Sequence, residues 1–294
     1  MIRMKRQTWN LRNSIYLAAF VSAICVPTVF ATTLIGIRVK NGFIIAADSK
    51  ATYKGPGNRG PATVCKIVQS GPFYFAVAGL VADRDRGFMP EKIVASNFSS
   101  SDSLAHNMER IEQAISNSLK VEMKRLKTED PDNFASNQRP GAGTLSIIVG
   151  EMVNETAQMS GRGFKYIDES TPIAITRSSC PGDCTNDAFF FFAGESEVAQ
   201  KALNTMFNDG IAHNPATDAR KLVELEIQAS PDTVGAPITI LQVDKNGPSW
   251  ISNDSGCPTL LTPEQSWLTG RAATAPRTAQ KSNWRDRFQY PLFR

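Results

Sequence analysis

Two apolar runs near the start of the chain constrain its fold more than any other feature. Thr32–Val39 (TTLIGIRV) and Phe43–Asp48 (FIIAAD) flank Lys40-Asn41-Gly42. Asn-Gly between apolar runs is the strongest short signal for a β-hairpin. A polar, Gly/Pro-rich loop (Tyr53–Pro61) separates them from two more strand candidates, Thr63–Val68 and Phe73–Ala78. Near-continuous apolar runs, rather than alternating ones, imply a sheet buried on both faces. Such a sheet needs packing partners above and below.

The rest of the chain offers those partners. In Ser103–Leu126 the residues Leu104, Met108, Ile111, Ile115, Leu119, Met123 and Leu126 recur every three or four positions, one apolar stripe on a helix. Asp102 or Ser103 can cap it. A polar loop (Lys127–Arg139), a strand (Thr144–Val153) and a further strand near Phe164–Ile167 follow. Ser170–Asp187 reads as an exposed loop and Ala188–Ala193 (AFFFFA) as a buried strand. Two helices, Ser196–Phe207 and Thr217–Ala229, precede a closing hairpin of Ile238–Asp244 and Ser249–Ser252 around Lys245-Asn246-Gly247. The charged stretch Arg84–Pro90 is a weak helix candidate because it ends in proline. This order suits an α+β architecture, two stacked and largely antiparallel sheets with helices outside.

Charge divides the 294 residues into three parts. The formal net charge is +4. Residues 1–31 hold Arg3, Lys5, Arg6 and Arg12 and no acid, whereas residues 255–294 hold six basic and two acidic residues. The intervening residues 32–254 carry 22 basic and 26 acidic residues, a mildly acidic body. The first part has the layout of a signal peptide: a basic start, an apolar core (Ile15–Ala31), Pro27, and Val29-Phe30-Ala31 before a cleavage point. A retained membrane anchor is the rival reading, and membrane contact is expected only through such an uncleaved leader. Cleavage predicts an exported protein, periplasmic or extracellular. The tail from residue 255, with Pro258, Pro263, Pro276 and Pro291, is expected to be a poorly ordered basic extension.

Export would leave four cysteines, Cys65, Cys180, Cys184 and Cys257. An even count in an oxidising compartment permits disulfides. Three pairings exist, and Cys180–Cys184 across Pro-Gly-Asp is favoured. A zinc site is a weak rival, since His106 and His213 lie far from any Cys in sequence. No metal or cofactor is expected, and no nucleic-acid partner. The chain lacks Gly-x-Ser-x-Gly, a Walker loop and His-Glu-x-x-His. With two histidines, neither beside a nucleophile motif, a His-based triad is unsupported.

The cleavage point itself supplies chemistry. It would free Thr32, whose hydroxyl can attack while its own α-amine takes the proton. An α-amine has a reference pKa of about 7.7–8.0, so part of it is neutral near physiological pH. Such a nucleophile needs a nearby cation, a carboxylate to hold the cation, and backbone N–H groups for an oxyanion. Asp48, Lys66 and Gly79 are the candidates that the first strands offer.

Thr32-Thr33-Leu34, Ala46-Ala47-Asp48-Ser49-Lys50-Ala51-Thr52, Thr63-Val64-Cys65-Lys66-Ile67 and Ala78-Gly79-Leu80-Val81-Ala82-Asp83 resemble the opening of proteasome β-type subunits. Phe192-Ala193-Gly194-Glu195-Ser196 and Val234-Gly235-Ala236 are similar to later landmarks of that family, in order. The resemblance spans about residues 32–252. It implies the N-terminal-nucleophile (Ntn) hydrolase fold, a four-layer αββα sandwich, and threonine-peptidase chemistry on a peptide or protein substrate. It also implies roles: Thr32 as nucleophile and base, Lys66 as activator, Asp48 as its partner, and the Gly79 N–H as oxyanion donor. The main chain at Thr52 and Gly79 would pair with an extended substrate, and Ala51, Val77 and Val81 would shape a side-chain pocket. The family places nucleophile and aspartate sixteen positions apart, which selects Thr32 over Thr33. Two departures stand out. The loop before Lys66 is longer, and the family's serine between two glycines is replaced here by Glu195 or displaced to Ser196. An amidase or acylase of the same fold, and a non-catalytic binding or assembly protein, are the alternatives. Assembly into a homo-oligomer is left open.

Overall fold

The computed structural model describes residues 32–52, 61–80, 88–138, 143–184, 188–206 and 214–261. The leader, Val81, His213 and the tail beyond residue 261 lie outside the described residues. Among those described, no helix is long and apolar enough to cross a membrane.

The opening hairpin forms as its sequence requires. Strand β1 (Thr33–Val39) pairs antiparallel with β2 (Gly42–Asp48), and nearly every residue of both is buried. They form the centre of a five-stranded sheet with β10 (Ala188–Gly194), β11 (Ile238–Asp244) and β12 (Gly247–Ser252), in the order β10-β1-β2-β11-β12. A second five-stranded sheet runs in chain order through β5 (Ile67–Ser70), β6 (Phe73–Gly79), β7 (Leu145–Val153), β8 (Thr156–Lys165) and β9 (Ala174–Cys180). Every pairing is antiparallel. A short ribbon of β3 (Lys50–Thr52) and β4 (Pro61–Thr63) stands beside them.

Burial on both faces explains the continuous apolar strands. One face of β1 and β2 (Leu34, Phe43, Ile45, Ala47) shares a core with Ala76, Ala78, Ile148 and Met159 of the second sheet. The other face (Ile35, Ile37, Ile44, Ala46) packs on Ala199 of α4 (Glu197–Met206) and on Ala219, Leu222 and Val223 of α5 (Pro215–Ala229). The far side of the second sheet, Phe75, Val77, Ile147 and Val149, packs on α1 (Pro90–Ser96) and α2 (Leu104–Glu129). The seven stripe residues of α2 are all buried, and Ser103 caps it by accepting from the His106 N–H. A short α3 (Pro131–Ser136) follows.

Several expectations need correction. Val64–Lys66 forms no strand; it is the irregular connection between β4 and β5, so Lys66 stands at a break in pairing. The region Ser170–Asp187 contains β9, a polar edge strand whose last residue, Cys180, is 2% exposed. Strand β8 reaches from Thr156, far before Phe164; Gly161 and Gly163 disguise it in sequence. The stretch Lys127–Arg139 is partly helical, through the end of α2 and through α3. Residues 84–87 lie outside the described residues; Pro90 itself starts α1, because the first helical position needs no N–H donor. Residues 255–261, which composition places in the tail, are tied to the body. Cys257 is disulfide-bonded to Cys65, and Leu261 bonds with Gln69.

Candidate active site

Thr32, Asp48 and Lys66 meet where β1 begins and β2 ends. Thr32 immediately precedes β1 and is 5% exposed. Its carbonyl accepts from the Glu195 N–H at 2.9 Å, just past β10. Thr33 is held twice: its N–H donates to Asp48 Oδ1 at 2.9 Å, and its hydroxyl donates to the Glu195 carbonyl at 2.6 Å. Gly194 makes this closeness feasible. Its φ is +73°, and a Cβ there would run into the Thr32 carbonyl oxygen.

Asp48 is fully buried and saturated with donors. Oδ1 accepts from Lys66 Nζ at 2.7 Å as well as from Thr33, and Oδ2 accepts from the N–H groups of Lys50 and Gly235, each at 3.2 Å. Four donors satisfy the carboxylate and fix its direction. Lys66 reaches in from the β4–β5 connection. Its ammonium donates to Asp48 and to Thr32 Oγ1, the latter at 3.0 Å, and its side chain is 8% exposed. Burial pushes the Lys66 pKa below its ordinary value, while the Asp48 charge pulls it back up. The cation thus lies between the carboxylate and the Thr32 hydroxyl, where it can stabilise negative charge developing on that oxygen.

Gly79 closes β6 with φ +96°, where a Cβ would press on the Thr144 carbonyl at 2.5 Å; the fold therefore requires glycine there. The pocket residues are less convergent. Val77 is 2% exposed and lies in the core beneath α1 and α2, and Ala51 is half-buried in the β3–β4 ribbon, one position before Thr52. Val81 lies outside the described residues. A cavity of about 270 Å³ sits between the sheets, lined by Ser146, Gly163, Thr176, Ser178, Phe191 and Ala193; Thr32, Asp48 and Lys66 do not line it.

Sequence reasoning named the Gly235 and Glu195 stretches only as family landmarks and missed the contacts that they and Cys65 make. The loop Pro231–Gly235 supports Asp48 through the Gly235 N–H and Lys50 through the Pro231 carbonyl (2.7 Å). Thr33 and the Glu195 backbone clamp the start of β1. Cys65, one residue before Lys66, is bonded to Cys257, while Cys180 and Cys184 form the disulfide that their spacing favoured. Among the four cysteines of the described residues, fixing the local pair would have fixed the distant one.

No protein-family model matches the sequence, and no curated protein matches it. A solved structure described as Anbu (Gly-1) mutant from Hyphomicrobium sp. strain MC1 aligns with this chain at 16% identity. The alignment covers 82% of this chain and 94% of that one, with a TM-score of 0.42.

Proposed function

We propose that this chain is an Ntn hydrolase of the four-layer αββα type, in which Thr32 is the nucleophile. The observation that carries the reading is the position of Lys66 Nζ, 3.0 Å from Thr32 Oγ1 and 2.7 Å from Asp48. Nothing about packing requires a threonine hydroxyl against a buried ammonium; a nucleophile does. Once Thr32 is N-terminal, its amine removes the hydroxyl proton, Oγ1 attacks a carbonyl, and an acyl-enzyme forms. The amine then returns the proton to the leaving group, and water completes the turnover. Lys66 stabilises the developing charge on Oγ1, Asp48 holds Lys66, and the Gly79 N–H is the oxyanion donor.

The substrate we infer is a peptide bond, with Thr52 and Gly79 as main-chain partners of an extended chain. Exposure of Thr32 by leader removal would make export and activation one event. Among the described residues the two disulfides favour an oxidising compartment. The test is the mass of the mature N-terminus together with a panel of peptides and acylated small amides. A start at Thr32 with peptide hydrolysis supports the endopeptidase reading. Turnover of small amides only would redirect it to an amidase. A mature chain starting elsewhere would remove the nucleophile.

A further inference from the structure

Residues 253–261 cross from the end of β12 to β5 and touch both partners of the Lys66–Asp48 pair indirectly. Cys257 is bonded to Cys65, the residue before Lys66. Leu261 pairs with the Gln69 side chain, its N–H donating to Oε1 at 2.9 Å and its carbonyl accepting from Nε2 at 3.0 Å. Ser255 hydrogen-bonds Thr239, which bonds Ser49, the residue after Asp48, at 3.1 Å. The segment is itself folded through reciprocal bonds between Asn253 and Cys257, at 2.6 and 3.0 Å. Lys66 has no strand pairing of its own: Ile67 after it pairs with Ala76, the Val64 N–H before it donates to the Ser49 carbonyl at 2.8 Å, and the Cys65–Cys257 bond anchors the residue beside it.

We propose that this segment is a positioning strap for Lys66, and that thiol–disulfide exchange at Cys65–Cys257 controls the Thr32 site. This rests on the reading of Thr32 as nucleophile. Cys65 is half-buried and Cys257 buried, so a dithiol reductant attacks at Cys65. The Cys65–Cys257 bond breaks and Cys257 leaves as a thiolate that takes a proton. The reductant's second thiol then releases Cys65, giving two protein thiols and one oxidised reductant. The strap end is freed and Lys66 loses its fixed approach to Thr32. The charged groups facing Thr32 are Lys66 and Asp48, with Glu195 next to it along the clamp and Lys50 turned to Pro231. Among the described residues Lys66 is the cation that touches Thr32, and withdrawing it raises the pKa of the Thr32 amine.

The experiment uses chain matured at Thr32 in a Cys180→Ser/Cys184→Ser background, so that one disulfide is present. The rate of Thr32 acylation by an electrophile is followed against pH in oxidised, dithiothreitol-reduced and reoxidised protein. Reduction should lower the plateau about tenfold and move the acid limb up by about one pH unit, with both restored on reoxidation. In reduced protein that stays folded, a lowered plateau with the limb left in place overturns the proposal. Should the reduced chain unfold, Gln69→Ala in the oxidised protein decides: the limb should move upward, and an unmoved limb overturns the strap. An oxidised protein unreactive at Thr32 at every pH overturns the hydrolase reading itself; reaction indifferent to reduction overturns the strap alone.

Discussion

At the residue scale, two groups of the proposed site depend on each other in different currencies. Thr32 contributes one acceptor to Lys66, whereas Asp48 contributes the countercharge and receives four donors. Thr32→Ala should therefore abolish activity, by about 10³-fold or more, while changing stability by only about 1 kcal/mol. Asp48→Asn should do both kinds of damage. It leaves a buried ammonium without its countercharge, at a cost of about 3–5 kcal/mol unless Lys66 gives up its proton. Urea unfolding beside peptide hydrolysis separates the two variants. Gly194→Ala is a third probe: the left-handed φ and the blocked Cβ position should cost about 1–3 kcal/mol and slow acylation at Thr32, read by thermal melting and labelling. The spacing Thr32–Asp48 made these residues legible, because both lie on one hairpin whose register the Asn-Gly turn fixes. Lys66 was legible as a residue but not in its setting, since an apolar run says nothing about where strand pairing breaks.

At the element scale, β7 and α2 meet at Glu151, which is 6% exposed. Burial pushes its carboxyl up to about 7, although the backbone N–H of Leu104 opposes the shift. A raised carboxylate pKa means that the folded state holds this proton through a range where the unfolded chain has lost it. Stability contributed here is thus constant below pH about 4.5, falls as pH rises from there to about 7, and is constant above. The total fall should be no more than about 3 kcal/mol. Glu112, whose burial would raise its pKa, is held below the usual range by Arg177 and Arg162, so its contribution has the opposite sign, growing with pH at the acidic end of the range. Glu151→Gln should flatten the decline, measured by denaturant unfolding between pH 4 and pH 8. None of this was visible in sequence: Glu151 sits at the end of an apolar strand like any solvent-facing residue, and only helix α2 above it removes the water. The long helix was legible because seven apolar residues keep its period. Strands β8 and β9 were not, because glycines and an exposed, polar edge erase the alternation that marks a strand.

For the whole molecule, the cysteine pair that the sequence favoured is the less consequential one. Cys180–Cys184 closes a turn with a sequence separation of 4, whereas Cys65–Cys257 spans 192 and joins the end of the described chain to the β4–β5 connection that carries Lys66. Local spacing makes the first pair legible, while the second depends on the course of everything between. In the chain-entropy view a cross-link stabilises by restricting the unfolded ensemble, and the restriction grows with the loop closed. The long bridge should then contribute about 5 kcal/mol and the short one about 2 kcal/mol. Cys65→Ser/Cys257→Ser should therefore lower the melting temperature distinctly more than Cys180→Ser/Cys184→Ser, compared by calorimetry under non-reducing conditions. Equal shifts would mean that strap and body already stay together in the unfolded ensemble. A larger shift for the short pair would mean that anchoring the end of β9 matters more than loop length. With the expected order, oxidation acts on the whole chain through the same residues that place the proposed activating lysine, so conditions that preserve the fold also preserve the site.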